Sequence, residues 1–127
     1  MSTIIASIVA GAIGIGIIFI GARFLLAPTT AAAGFGVAAA EGARARDAYT
    51  WLHTKGVRDI ASGIFILILL ANQAPHPLGA FMVAASLIPV GDMVIVLRSG
   101  GTRAAAYGIH GTTAAVALAA GLVLLLA

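Results

Sequence analysis

Apolar residues run along this chain in long blocks separated by three polar interruptions. A helix that crosses a bilayer needs about 20 mainly apolar residues, and four blocks meet that length: residues 3–26, 49–72, 77–97 and 104–126. Between them lie a long first loop (APTTAAAGFGVAAAEGARARDA), a tight second one (NQAPHP) and a short third one (RSGGTR). The pattern predicts an all-α polytopic membrane protein, with residues 1–127 forming one four-transmembrane-helix up-down bundle. The opening run MSTIIASIVAGAIGIGIIFIGARF has no basic start and is longer than the ~7–15-residue apolar core of a secretory signal, so it is expected to be a retained membrane helix.

Composition agrees with the blocks. Hydrophobic residues make up 61% of the chain and charged ones 9%, with a mean hydropathy of +1.13. Soluble domains carry about 25% charged residues, and the charge missing here is expected to be replaced by lipid contact. The absence of cysteine excludes disulfides, thiolate catalysis and cysteine-ligated metal. The isoelectric point near 10.2 comes from seven basic residues, which orientation in a membrane explains better than a nucleic-acid partner. The lipid bilayer is the expected partner and nucleic acid is not.

On an up-down topology every charge falls on or toward one side: Arg23, Glu41, Arg44, Arg46, Asp47, Lys55, Arg58, Asp59, Asp92, Arg98 and Arg103. Short loops rich in Lys and Arg stay in the cytoplasm, which predicts a cell-membrane protein with cytoplasmic basic loops and both termini outside. Trp51, Tyr49 and Tyr107 fall near the same boundary, where amphipathic rings anchor. Ser7, Gly14 and Gly21 recur at heptad spacing, Ala6, Ala10 and Gly14 form a small-xxx-small row, and Gly56 and Gly63 lie seven apart in the second block. Such rows allow helix backbones to approach closely, chiefly within the bundle, with a homo-oligomer through one glycine face as the alternative.

Depth singles out the polar residues that matter. Asp59 lies roughly 15 Å into the second block at ~1.5 Å per residue, Asp92 about 9 Å from the charged end of the third, and His110 at a similar level in the fourth. Charge at such depth must be paired or line a cavity. Asp59, Asp92, His110 and His53 are therefore the candidate proton donors and acceptors, and Arg58, Arg23, Lys55 and Trp51 the candidate binding residues. Lys55 and Asp59, four apart, can pair on one helix face, while Arg58 is positioned to clasp Asp92 across helices. Pro89 and Gly91, just before Asp92, predict a kink that frees the Ala85 carbonyl for Ser86 or water. His76, between two prolines, reads as structural. No His-x-x-x-His or Glu-x-x-His pair is present, so no dedicated metal site is expected. The glycines of GAIGIGIIFIG lack a phosphate-loop lysine, and no cofactor motif is found.

The order RFLLAP, GFGV, KGVRDIASG and PVGD resembles a family of small bacterial and fungal four-helix membrane proteins known as a domain of unknown function, similar in turn to the wider DoxX-like group. The resemblance covers nearly the whole chain. It implies a four-helix bundle and marks Arg23, Pro28, Gly36, Gly56, Arg58, Asp59, Gly91 and Asp92 as signature positions.

Three functional readings follow. The foremost is a protein that binds an apolar small molecule and converts it by acid–base chemistry of the isomerase, cyclase or hydrolase type, with Arg58 orienting an acid. The second is a structural or accessory subunit whose charges clasp helices and whose basic loop meets a partner or anionic lipid. The third is a small proton-coupled transporter, although the first block lacks the acid that such exporters carry.

Overall fold

The computed structural model describes residues 1–38, 41–42 and 44–127. The chain begins with α1, Ser2–Leu26, followed by a short α2, Pro28–Phe35, and the long α3, Arg44–Ala71. After a tight turn come α4, Pro75–Ala85, and α5, Leu87–Arg98. A π-helical segment, Ala104–Gly111, then runs into α6, Thr112–Leu126. Three helical stretches are long and apolar enough to cross a membrane: Ser2–Leu26, the continuous α4–α5 stretch Pro75–Arg98, and Ala104–Leu126. The N-terminal half of α3 is charged and only its second half is uniformly apolar.

Three boundaries differ from those expected. The first loop contains α2, which an alanine-rich run supports and Pro28 opens in the first turn, where its missing N–H costs nothing. Gly36 ends α2 in the left-handed region at φ 98°, and its N–H returns to the carbonyls of Ala32 and Ala33. Second, α3 begins at Arg44 rather than at residue 49, with Asp47 in the first turn where the helix dipole favours an acid. Third, the kink falls at Ser86, one turn before Pro89. Proline cannot donate to the carbonyl four residues back, and the next bond, from the Val90 N–H to the Ser86 carbonyl, is stretched to 3.4 Å. The Ser86 hydroxyl donates to the Val83 carbonyl at 2.7 Å, not to Ala85.

Glycines set the helix pairings. A Cβ on Gly21 would stand 2.6 Å from the Gly56 carbonyl oxygen, and one on Gly63 would stand 2.5 Å from that of Gly14. These two contacts run in opposite chain directions, so α1 and α3 lie antiparallel with their backbones touching. Gly79 on α4 meets α6 in the same way, where its Cβ would be 2.8 Å from the Gly121 oxygen. The glycine row expected to serve packing or an oligomer is occupied, at Gly14 and Gly21, by α3 of the same chain.

The core sits at one end. Ala6, Ala10, Ile66, Leu78, Met82, Ala117, Ala120 and Leu124 form one buried cluster from α1, α3, α4 and α6. The outer faces are apolar too, with Ile8, Ile15, Phe19, Ile64, Phe65, Ile68 and Leu118 exposed. An exterior this apolar is the reverse of what water requires and matches the solvent inside a bilayer.

Candidate functional site

Adjoining that core on the side of the charged end, the helices part around a cavity of about 270 Å³. Its walls are chiefly apolar, with Ile13 and Ile17 of α1, Ile66 of α3, and Phe81 and Ile88 from the kinked stretch. Its polar members are Arg23, Lys55, Asp59, Ser62, Asp92, His110 and Thr113.

Lys55, Asp59, Ser62 and Ile66 follow one another at spacings of three and four residues, so a single stripe of α3 faces the cavity. The Lys55 ammonium donates to Asp59 Oδ2 at 2.7 Å and lies 3.9 Å from Asp92 Oδ2 on α5. It also stands over two aromatic faces, 5.1 Å from the Phe24 centroid and 5.0 Å from that of Phe35. Both rings present their electron-rich faces to the cation. The side chains are largely enclosed, at 25% exposed for Lys55, 14% for Asp59 and 20% for Asp92. One cation thus serves two carboxylates on different helices.

His110 enters from the π-helical segment. The wider turn, marked by the Thr112 backbone N–H reaching back five residues to the Tyr107 carbonyl, holds His110 at 6% exposure. Inserted π turns recur at functional sites because they redirect a side chain. Nε2 of His110 donates to the Phe35 carbonyl at 2.9 Å, and the His110 ring packs on the Phe35 ring with centroids 4.3 Å apart. A carbonyl only accepts, so Nε2 carries the proton and Nδ1 of the neutral ring keeps a lone pair. Phe24 meets Phe35 edge to face at 6.0 Å. Phe35 therefore joins the histidine, the lysine and α1 at one point.

The structure brings together Asp59, Asp92, His110 and Lys55, with Arg23 bordering the same cavity from an exposed position. His53 and Arg58 are exposed and Trp51 is 70% exposed, and none of the three lines the cavity. The expected clasp between Arg58 and Asp92 is absent. Among the described residues the ion pairs are Lys55 with Asp59 and with Asp92, because Lys55 and not Arg58 lies on the inward stripe. Phe24 and Phe35 were not singled out by sequence, and the only signal for Phe35 was its place in the GFGV motif. Among the described residues no group of three or more acids and histidines converges as a metal site.

An all-helical chain with three membrane-length apolar helices and a cavity lined in part by a charged cluster is the class that these observations define. The family described as Domain of unknown function (DUF4267) matches residues 14–124, and the chain belongs to it. No curated protein and no solved structure matches the chain.

Proposed function

We propose that this is a four-helix up-down membrane protein of the cell membrane, similar to the DoxX-like group, that binds an apolar small molecule in its cavity and converts it by acid–base chemistry. The observation that carries the reading is the cavity itself, chiefly apolar and lined in part by Lys55, Asp59, Asp92 and His110. Its 270 Å³ is roughly twice the about 150 Å³ that accepts benzene in an engineered protein core, which suits a ligand on the order of ten non-hydrogen atoms. In this reading α3 is the fourth span. Its second half turns Ile64, Phe65 and Ile68 outward, while Lys55 and Asp59 form an ion pair inside. The basic loops face the cytoplasm and both termini face outward.

Asp92 carries the proton chemistry. It has no hydrogen bond within the described protein, unlike Asp59, which is held by Lys55. Nδ1 of His110 is the second acceptor. Isomerisation, cyclisation and epoxide opening each need only such a pair of groups.

The test is native mass spectrometry of protein purified in mild detergent, with identification of co-purifying small molecules, for wild type and Asp59→Asn. A specific apolar ligand that the variant loses supports the reading. An empty wild type with a variant that falls apart supports the second reading, an accessory subunit, which the bridging of α3 and α5 by Lys55 favours.

A further inference from the structure

Lys55 is the single lysine of the chain, the other six of its seven Lys and Arg residues being arginines. It is also the one basic residue on the inward stripe of α3, and its Nζ is enclosed by two carboxylates and two aromatic rings. An ammonium has three N–H donors to satisfy, yet among the described residues Lys55 makes a single hydrogen bond, to Asp59. The remaining donors face Asp92 at 3.9 Å, the rings and the cavity. The surroundings supply a full counter-charge and aromatic faces for a cation, but one short acceptor. That environment matches a nitrogen cation with one N–H better than one with three.

We propose that Lys55 forms an iminium with an apolar aldehyde or ketone in the cavity, which makes a carbonyl compound the ligand class of this site. The proposal rests on reading the cavity as a ligand site. Nζ first passes a proton to Asp92 and attacks the carbonyl carbon. Asp92 then returns its proton to the carbonyl oxygen, and Asp59 takes a second proton from the nitrogen and passes it to the same oxygen, which leaves as water as the carbon–nitrogen double bond forms. Of the three ammonium hydrogens two depart in that water and one remains on nitrogen, still bonded to Asp59, and no electrons are gained or lost. Lysine amines in apolar pockets form such adducts, and Phe24, Phe35 and Asp92 serve the iminium as they serve the ammonium. An iminium acidifies the adjacent C–H bonds, which is what acid–base isomerisation of a carbonyl compound requires.

The single lysine makes the test clean. The protein in detergent is incubated with para-isopropylbenzaldehyde and sodium cyanoborohydride, and the product is read by intact mass and peptide mapping. The alcohol of the same skeleton, para-isopropylbenzyl alcohol, is tested in parallel for non-covalent binding by native mass spectrometry. One reduced adduct at Lys55, lost in Lys55→Arg and in Ala85→Phe, which fills the cavity but keeps the amine, is the expected result. An adduct only at the amino terminus, or one at Lys55 that Ala85→Phe leaves unchanged, overturns the proposal. Binding of the alcohol with no aldehyde adduct overturns the iminium and leaves the cavity reading standing; failure of both removes both.

Discussion

Lys55 on α3 and Asp92 on α5 stand 3.9 Å apart across the charged end of the cavity, while the same ammonium holds Asp59 at 2.7 Å. One cation between two enclosed acids means that its removal leaves two like charges facing each other in an apolar setting. Breaking an enclosed ion pair from one side costs about 3–5 kcal/mol. Lys55→Met is therefore expected to lower stability by about 3 kcal/mol, and adding Asp59→Asn and Asp92→Asn should restore most of it. Arg58→Ala, at an exposed position outside the cluster, should change stability by no more than about 0.5 kcal/mol. Denaturant unfolding in detergent measures all three, and a larger loss for Arg58→Ala than for Lys55→Met would refute the assignment.

The α1–α3 contact makes a second comparison possible within one helix. Gly21→Ala puts a methyl 2.6 Å from the Gly56 oxygen and 2.8 Å from Ile60, where backbone must move. A loss of about 1–3 kcal/mol is expected, as for other overpacked sites. Gly16→Ala meets nothing within 4 Å and should be neutral or gain up to about 1 kcal/mol from helix propensity. Equal melting temperatures for the two variants would contradict this packing.

His110 should act on α2 at a distance in sequence. His110→Phe retains the ring contact but removes the donor to the Phe35 carbonyl, a loss of about 1–2 kcal/mol. Because that carbonyl belongs to the last turn of α2, amide hydrogen exchange should quicken at Gly36 and Val37, whose N–H groups close the helix. Exchange unchanged there would show that the hydrogen bond does not hold α2.

Topology is open to a direct check because the chain has no cysteine. Gln73→Cys lies in the turn between α3 and α4, and Ser99→Cys after α5. On intact cells a membrane-impermeant maleimide is expected to label Gln73→Cys and spare Ser99→Cys, with both labelled after lysis. The reverse pattern would invert the proposed orientation.

The helical class and the approximate extent of the long apolar helices could be read from the blocks of apolar residues, because a backbone in lipid must satisfy its own hydrogen bonds, whereas α2 and the start of α3 could not. Asp59, Asp92 and His110 were legible as a group for a similar reason, since charge at that depth needs a partner. The choice between Lys55 and Arg58 as partner of Asp92 was not. The two residues are three apart on one helix, and which of them turns inward depends on how Gly56 and Gly63 seat α3 against α1. Likewise, nothing in the linear pattern indicated that Phe35, on a short helix within an expected loop, would meet His110 from the far end of the chain. Sequence by itself determined the apolar segments, the one-sided distribution of charge and the set of candidate groups, because these depend on side-chain chemistry and distance along the chain. Tertiary structure alone decided the π turn, the aromatic floor and the shared lysine, because these depend on the rotation of each helix about its axis, which is set by packing against its neighbours.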